Sequence, residues 1–466
     1  MTHALRRTFR RIDWSSPQTR ILIGVMAPAV ITGMDHHMFG VTVPAIRSHF
    51  DLDADTAAWV VMSYSLPFMA LMPLYGRMGD RLGKRLLLLI GTAIFFVGSL
   101  LAMTAPSLGM FMAGRFVQGM GAAGFVPLCI ALITQRFPAA ERGRALGTWN
   151  SVVPLAGLML PYFAGLLVDA LSWRAIFPAI ALTAVIGFFT IRHNIRPLTT
   201  AVDFRFLRTF DWPGVILLSS ALVTLFFYTS SRPVTGRPAL QDWRLLLAWP
   251  LLFTLLILWE RRRPDPYIDL GLFRNRTFSV ASLCAGLRMA LMTSVSFLIP
   301  LYVSDVHGGN ASVIGIVLML QAGMLFVTSR AGGQLADRWG GRLPVAGGMA
   351  GLAVVMALMA ILPETAPLWA VVAVTMGHGL MIGMSLAPLH RAAMQGIDDA
   401  DTGLAAGLYS MIRFGGQIMG TAIAGVLLQA GLERYAAPVQ AYQSVFWIFA
   451  GVALLATFAA WQIREA

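Results

Sequence analysis

The chain has 466 residues, of which 57% are hydrophobic and only 12% are charged, and its formal net charge is +13. The mean hydropathy of +0.70 is too high for the surface of a water-soluble protein of this size, so lipid must cover much of the molecule. The basic side chains occur in short clusters between long apolar segments, which indicates membrane topology and excludes a nucleic-acid-binding face.

The composition also argues against bound metals and cofactors. The two cysteines, Cys129 and Cys284, lie inside apolar segments, so we expect neither a disulfide framework nor a metal site. The sequence has no Gly-x-x-x-x-Gly-Lys-Ser/Thr loop for the phosphates of a nucleotide, and direct coupling to ATP is therefore not expected. We predict no cofactor and no enzymatic activity.

Apolar segments long enough to cross a bilayer follow one another along the whole chain. A span needs about 20 mainly apolar residues, because each backbone polar group in hydrocarbon must bond within its own helix. The first segment continues to residue 46 without a small-residue cleavage site, so we interpret it as an uncleaved span and not as a signal peptide. The sequence predicts an all-α integral membrane protein with fourteen spans: 21–46, 57–76, 86–105, 108–133, 144–168, 174–191, 213–230, 244–259, 278–303, 312–332, 343–362, 367–389, 403–429 and 441–462.

The distribution of arginine and lysine predicts the orientation of these spans. If the N-terminus is cytoplasmic, the inner segments hold 26 basic side chains and the outer loops hold six. This bias indicates that both termini are cytoplasmic and that the protein lies in the inner, or plasma, membrane.

A repeated turn divides the chain into two related halves. The segment Gly76-Arg-Met-Gly-Asp80-Arg81-Leu-Gly83-Lys-Arg85 recurs 257 residues later, where Asp337, Arg338, Gly340 and Arg342 stand at the matching positions. Glycines permit a tight turn between spans, and an aspartate accepts hydrogen bonds at a helix N-terminus. Repeats of this kind are typical of transporters in which one half moves against the other.

Two long basic linkers, at 192–212 and 260–276, flank the spans 213–230 and 244–259. From the repeat and these linkers we predict four regions: a cytoplasmic N-terminal segment at 1–20, a six-helix bundle at 21–192, a linker with two additional transmembrane helices at 193–277, and a second six-helix bundle at 278–466. Asp80 is expected to brace the cytoplasmic side against a neighbouring helix end and Arg142. The predicted gating residues are Gly76, Asp80, Arg81, Gly83, Arg85, Arg142, Asp337 and Arg338.

The repeated turns resemble the signature loops of the major facilitator superfamily. The segment Arg115-Phe-Val-Gln118-Gly119 in the fourth span resembles another motif of that superfamily. The two inserted spans, the Trp173-Arg174 step and the segment from Arg413 to Gln417 resemble its fourteen-span drug/proton antiporter branch. The resemblance implies two six-helix bundles with pseudo-two-fold symmetry plus two inserted helices, and a proton antiporter for multidrug efflux that confers drug resistance. The chain departs from that branch at His36 and His37, and its fifth span carries the export motif only in part.

Asp35 is the only acidic residue predicted to lie well inside a span. A carboxylate at the centre of a bilayer costs about 2.5 to 3.5 kcal/mol on insertion scales, so such a residue is a candidate functional site. Burial favours the protonated form, which makes proton uptake and release near neutral pH conceivable. Arg115 is the expected partner, since both residues are predicted to lie in the outer half of the membrane. The alternative is a permanent structural ion pair. The resemblance implies a proton-coupling role for both residues.

The remaining polar residues within spans are candidates for the substrate cavity. His36 and His37 lie about 100° and 200° around the helix from Asp35, so at most one of them shares its face; each could instead make a structural hydrogen bond. Arg288 matches no motif. Arg413 and Gln417 share a helix face at i and i+4, and either cavity contacts or interhelical hydrogen bonds would explain them.

The sequence therefore predicts a proton-coupled secondary active transporter, an exporter of hydrophobic or amphipathic small molecules by alternating access. Cationic or neutral cargo follows from the resemblance. The alternative within this class is an anionic amphiphile or lipid, because three buried arginines outnumber one buried aspartate. The alternatives from other classes are a membrane-embedded enzyme and a transport-dead sensor. We expect a monomer that binds protons, a small-molecule substrate and membrane lipids; a periplasmic accessory protein is left open.

Overall fold

The computed structural model describes residues 16–196, 211–230, 232, 236–237, 240–263, 270–397 and 402–463. Residues 80, 139, 140, 270 and 402–404 are described only by their backbone. Within these ranges the chain forms helices, turns and bends, and no strand is present. The predicted all-α class is confirmed.

Fourteen helices among the described residues are long and apolar enough to cross a membrane. This number confirms the predicted spans, and the protein is a multi-pass membrane protein. The helices are α1 Pro17–Phe50, α2 Ala54–Met78, α3 Arg81–Thr104, α4 Leu108–Arg136, α5 Glu141–Ala170, α6 Trp173–Asn194, α7 Trp212–Ser230, α8 Trp243–Glu260, α9 Arg276–Asp305, α10 Ala311–Trp339, α11 Arg342–Ala360, α12 Leu368–Met394, α13 Ala405–Arg434 and α14 Pro438–Ala460.

Polar side chains mark several helix starts. The Ser16 side chain accepts a hydrogen bond from the Thr19 amide at 3.2 Å. Asn275 does the same for Phe278 and Asn310 for Val313, each at 3.1 Å. Each cap satisfies an amide that the first turn of a helix leaves without a backbone partner.

The repeated turn has the same unusual backbone conformation at its equivalent glycines. Gly83 has φ +93° and Gly340 has φ +76°, in the region that favours glycine because a Cβ atom would be strained there. Gly83 ends a short π-helical segment, Gly79–Gly83, between α2 and α3, and Gly340 follows α10 directly. The two turns therefore share backbone geometry as well as sequence.

Small residues bring neighbouring helices close together within each half. A Cβ on Gly98 would lie 2.7 Å from the carbonyl oxygen of Gly114, which shows how closely α3 and α4 approach. Between α9 and α13, a Cβ on Gly416 would collide with the carbonyl of Gly286. Close packing of this kind replaces the hydrophobic effect as the main source of helix association in lipid.

Two helix pairs make the most extensive contacts between the first six helices and the last six. α5 packs against α10, and α2 packs against α13. Gly165 on α5 faces the backbone of Ala311 and Ser312, and Gly425 on α13 faces Ala58 of α2. The inserted helix α7 packs against both α2 and α13, while α8 packs against α7.

Polar contacts between the halves gather at the end of the bundle where α1 ends and α2 begins, which we call the α1–α2 end. Arg47 forms an ion pair with Asp305 at 2.8 Å. Asp169 accepts hydrogen bonds from the amides of Ala311 at 3.0 Å and Ser312 at 2.8 Å. The Ala54 amide donates to the side-chain oxygen of Gln429 at 2.9 Å. These contacts hold the α1–α2 end closed in this structure.

Candidate functional site

A cavity lies between the two halves. Its empty space is about 1010 Å³, including the open mouth, and its walls come from α1, α2, α4, α5, α9, α10, α12 and α13. The lining is mainly apolar, with polar groups that include Asp35, His36, His37, Tyr64, Gln321 and Gln417. A large, mostly apolar cavity with a few polar groups is typical of a small-molecule binding site.

Asp35 and Arg115 form an ion pair on one wall of this cavity. The Asp35 Oδ1 and Arg115 Nη1 atoms lie 2.5 Å apart, and each side chain is only 2% exposed. Asp35 is the only carboxylate among the described residues that line the cavity. Removing one partner of a buried ion pair typically costs about 3 to 5 kcal/mol, so the contact between Asp35 and Arg115 stabilises this arrangement of α1 and α4.

Further contacts fix the guanidinium group of Arg115. Its Nη1 also donates to Gln118 at 2.9 Å, and Gln118 in turn donates to Ser99 on α3 at 2.8 Å. The guanidinium carbon lies 3.8 Å from the ring centroid of Phe39 and 4.7 Å from that of Tyr64. The ion pair is thus held by a hydrogen-bonded chain and by two cation–π contacts.

Glycine positions explain how three helices meet at this point. A Cβ on Gly119 would collide with the backbone carbonyl of Tyr64, so only glycine lets α4 approach α2 this closely. A Cβ on Gly98 would lie 2.8 Å from the Gln118 side chain. The fourth-span motif therefore supplies both the charge and the small residue that positions it.

The histidine pair lies beside Asp35, and both rings line the cavity. His37 has its Nε2 at 3.0 Å from the carbonyl oxygen of Val153 on α5. The His36 side chain is exposed to the cavity and its ring packs edge-on against His37 at a centroid distance of 5.0 Å. The sequence left two roles open for each histidine, a place in the cavity or a structural hydrogen bond. His37 does both, because it bonds to the Val153 carbonyl and its ring lines the cavity.

The opposite wall is polar but carries no carboxylate among its described residues. Gln417 and Thr421 of α13 line it together with Thr293 of α9. The side-chain amide nitrogen of Gln321, Nε2, donates a hydrogen bond to His378 Nδ1 at 2.7 Å. Gln417 thus lines the cavity, one of the two alternatives that the sequence left open.

Arg288 and Arg413 are not among the residues that line the cavity. Arg288 lies behind the cavity wall, and Arg413 is half-buried one helical turn before Gln417. Arg288 is 2% exposed, and its Nη1 lies 3.4 Å from the carbonyl oxygen of Ile382, a residue of the cavity wall. The Arg413 guanidinium carbon lies 5.0 Å from the ring centroid of Phe414. Helical periodicity predicts which face of a helix is buried, but it does not predict whether a side chain on that face lines a cavity. The sequence therefore could not exclude Arg288 and Arg413 from the cavity lining.

The residues predicted to act in gating lie near the end of the bundle where α1 begins. We call this end the terminal end. Arg85 donates to the Arg192 carbonyl at 2.9 Å, and Arg142 Nε donates to the Phe137 carbonyl at 3.0 Å. Asp337 forms an ion pair with Arg391 of α12 at 2.5 Å. Arg81 and Arg338 are exposed, and Gly76 lies in α2. The side chain of Asp80, and with it the predicted contact to Arg142, falls outside the described part of the chain.

Tyr64, Gln321 and His378 are cavity residues that sequence reasoning did not select. The hydroxyl of Tyr64 is buried without a hydrogen-bond partner in the described structure and is free to bond to a small molecule in the cavity. The one sequence signal of these three residues is a polar atom within an apolar segment, which many structural residues share.

A bundle of membrane-spanning helices in two groups, with a cavity between them and a buried ion pair on one wall of that cavity, is the architecture of a polytopic membrane transporter. The family model described as Major Facilitator Superfamily matches residues 26–421 and 281–465. The chain belongs to the Major Facilitator Superfamily.

Three relatives are informative. Multidrug resistance protein Stp of Mycobacterium tuberculosis is 30% identical over 416 residues, which cover 87% of this chain and 75% of that protein. Riboflavin transporter RibZ of Clostridioides difficile is 24% identical, with 93% and 95% covered. Drug efflux pump JefA of M. tuberculosis is 27% identical, with 86% and 78% covered.

Two solved structures share the fold. The D-xylose-proton symporter superposes with a TM-score of 0.69 at 15% sequence identity, covering 97% of this chain and 98% of that one. The xylose transporter XylE from E. coli, in a partially occluded inward open conformation, gives a TM-score of 0.65 at 14% identity with the same coverage. At this identity the likeness concerns the fold alone.

Proposed function

We propose that this transporter is a proton-coupled exporter of hydrophobic or amphipathic small molecules that works by alternating access. The buried ion pair between Asp35 and Arg115 at the cavity wall carries the proposal. The names of the relatives Stp and JefA, a multidrug resistance protein and a drug efflux pump, support export. RibZ, named a riboflavin transporter, indicates that relatives differ in cargo.

Coupling arises because one carboxylate serves both the proton and the conformation. When Asp35 takes up a proton, Arg115 loses the one ionic partner it has among the described residues and keeps Gln118, Phe39 and Tyr64. An unpaired guanidinium in a buried site is unfavourable, so protonation stabilises whichever arrangement of the helices resolvates or re-pairs it. Substrate in the adjacent cavity favours the other arrangement.

The charge bias of the loops supports a cytoplasmic location of both termini in the plasma membrane. With that orientation, the closed α1–α2 end faces outward and the cavity of this structure serves the cytoplasmic side. The repeated turns, with Asp80 and Asp337, then act as locks that form at the cytoplasmic side in the outward-facing state. We further propose that one chain is the working unit, since its cavity is bounded by helices of both halves.

The test is uphill transport by Asp35→Asn in proteoliposomes with an imposed proton gradient. Asparagine keeps the shape of the side chain but cannot titrate, so we expect normal assembly and loss of concentrative transport of a hydrophobic fluorescent dye. Asp51→Asn is the matched control, because Asp51 is exposed and has φ 51°, a conformation that asparagine tolerates. Dye accumulation against its gradient by Asp35→Asn would refute the coupling role.

A further inference from the structure

Two arginines next to the cavity wall have no anionic partner among the described residues. Arg288 is 2% exposed, and its hydrogen bonds, to the Ile382 carbonyl at 3.4 Å and to the sulfur of Met289 at 3.5 Å, are long. Its Nε is buried without a partner in the described structure. A guanidinium has five donors in a rigid fork, so most of the bonding capacity of Arg288 is unused.

Arg413 lies on the neighbouring helix at the same crossing. α9 and α13 touch at Gly286 and Gly416, where a Cβ on Gly416 would collide with the backbone of Gly286. Arg288 follows Gly286 by two residues, and Arg413 precedes Gly416 by three. The Nε of Arg413 is also buried without a hydrogen-bond partner within the described ranges. The contact between α9 and α13 thus concentrates two positive charges.

This arrangement is costly without a ligand. A buried charge is normally paired, because the loss of water is otherwise uncompensated. Two like charges at one helix crossing add repulsion. Carboxylate, sulfonate and phosphate groups are the ligands that a pair of guanidiniums binds in bidentate geometry.

The arginines are connected to the cavity by single helical turns. Met292 lies four residues after Arg288, Gln417 lies four residues after Arg413, and both line the cavity. Ile382, which accepts the hydrogen bond from Arg288, lines it as well. Residues four apart share a helix face, so a ligand in the cavity has to extend by about one turn, 5.4 Å, to reach the guanidiniums.

The other wall argues against a cationic substrate. The single cavity carboxylate, Asp35, is already neutralised by Arg115 at 2.5 Å. A cation in the cavity would have to displace that arginine, whereas an anion meets unpaired positive charge. In the cavity wall and the helical turns next to it, the described residues therefore place one carboxylate, Asp35, near the guanidiniums of Arg115, Arg288 and Arg413.

We propose that Arg288 and Arg413 bind the anionic group of an amphipathic substrate whose apolar part fills the cavity. The cargo class is then a monoanionic carboxylate or sulfonate with a hydrophobic body. This inference rests on the proposed transport function and specifies the substrate of the same cavity.

The test compares two probes of the same apolar body and opposite charge, pyrenesulfonate and pyrenylmethyl-trimethylammonium, by fluorescence binding to the full chain in nanodiscs. Wild type is expected to bind pyrenesulfonate at least tenfold more tightly than the cation. Arg288→Gln and Arg413→Gln are each expected to weaken pyrenesulfonate binding about tenfold and to leave or improve cation binding. Arg434→Gln, on the exposed last turn of α13, is the matched control and is expected to bind like wild type.

A second readout separates ligand binding from a purely structural role. Arg288→Lys keeps the charge but not the fork, so intermediate sulfonate affinity is expected, with unchanged cation affinity. Equal weakening of both probes in the glutamine variants would overturn the proposal, as would preferential binding of the cation by wild type. Proton-driven transport of a neutral dye by wild type, together with glutamine variants that bind pyrenesulfonate normally, would refute the anion site and leave the transport function standing. Absence of any proton-driven transport would refute the transport function itself.

Discussion

At the scale of the residue, Arg115 shows how a buried charge is positioned. Its guanidinium contacts a carboxylate, an amide oxygen and two aromatic rings, contributed by α1, α2 and α4. The planar guanidinium suits all of these contacts at once, because it can donate within its plane and stack through its faces. An ammonium group provides neither stacking nor a rigid fork.

We therefore expect Arg115→Lys to retain the ion pair with Asp35 but to lose the fixed geometry around it. The loss of stacking and of the Gln118 bond is expected to uncouple proton flow from substrate flow, so that proteoliposomes leak protons without transporting dye. Parallel measurement of internal pH and dye flux checks this. Arg174→Lys, at a half-buried arginine near the α1–α2 end, is the control. Tight coupling in Arg115→Lys would show that charge alone suffices.

The sequence indicated the acid, its arginine partner and the fold, because each leaves a strong signal. A carboxylate in a span is rare and costly, and the fourth-span motif and repeated turn have fixed spacing. The depth of Arg288 behind Ile382 left no such signal, since periodicity reports which helix face is buried but not how far the next helix lies. The bond from His37 to Val153 lies beside Gly157, where the regular helix of α5 is interrupted until Leu160. A Cβ at Gly157 would lie 2.7 Å from the His37 ring, so the ring needs a glycine there.

At the scale of the element, the inserted pair α7 and α8 is fastened at both ends. At the terminal end, Asp211 accepts hydrogen bonds from Trp259 Nε1 at 2.9 Å, Arg263 at 3.0 Å and the Gly214 amide at 3.1 Å. Burial alone raises the pKa of Asp211, but these hydrogen bonds outweigh it and hold the pKa below its usual value. The carboxylate therefore stays ionised at neutral pH and joins the two inserted helices.

At the α1–α2 end, Arg232 connects the insertion to both halves of the transporter. It pairs with Glu433 of α13 at 2.7 Å, and with Asp53 and Asp55 at the start of α2 at 3.5 and 3.7 Å. Trp59 of α2 also donates its indole N–H to the Ser230 carbonyl. Arg232 thus bridges the closed seam between α2 and α13.

Arg232→Ala is expected to open this end of the molecule. The lost ion pairs are partly exposed, so the expected shift is about 1 kcal/mol in favour of the state open at the α1–α2 end, a fivefold change in population. Spin labels at cysteines replacing Asp51 and Ala436, both exposed, report the change as a longer distance between the halves. Arg237→Ala removes a cation that pairs with Asp242 inside the insertion and serves as the control. Equal distance distributions in Arg232→Ala and Arg237→Ala would contradict a role of Arg232 in keeping this end closed.

At the scale of the whole molecule, transport requires the seams at the two ends to be close in energy. The contacts of Arg47, Asp169 and Arg232 stabilise closure of the α1–α2 end. The repeated turns at the other end are proposed to stabilise the reverse state. A ligand or a proton redistributes the two states only if their free energies differ by a few kcal/mol.

We expect opposing variants to compensate. Asp80→Ala should favour the state closed at the α1–α2 end, and Arg232→Ala the state open there. The two sites lie at opposite ends of α2, so their effects on the free energy should add and the double variant should return towards the wild-type population. The same spin-label pair measures all four proteins of the cycle. A double variant that behaves like either single variant would argue against two independent locks.

The inserted helix α8 links this balance to the thickness of the bilayer. α8 has 18 residues, about 27 Å of helix at 1.5 Å per residue, which is shorter than a hydrocarbon core of about 30 Å. Trp243 and Trp259, 60% and 36% exposed, lie at its two ends, where indole rings anchor a helix at the lipid headgroups. A thicker bilayer must thin locally around α8 or tilt it, and α7 transmits that strain to the seam between α2 and α13. We therefore expect the acyl-chain length of the surrounding lipid to shift the balance between the states that are open and closed at the α1–α2 end.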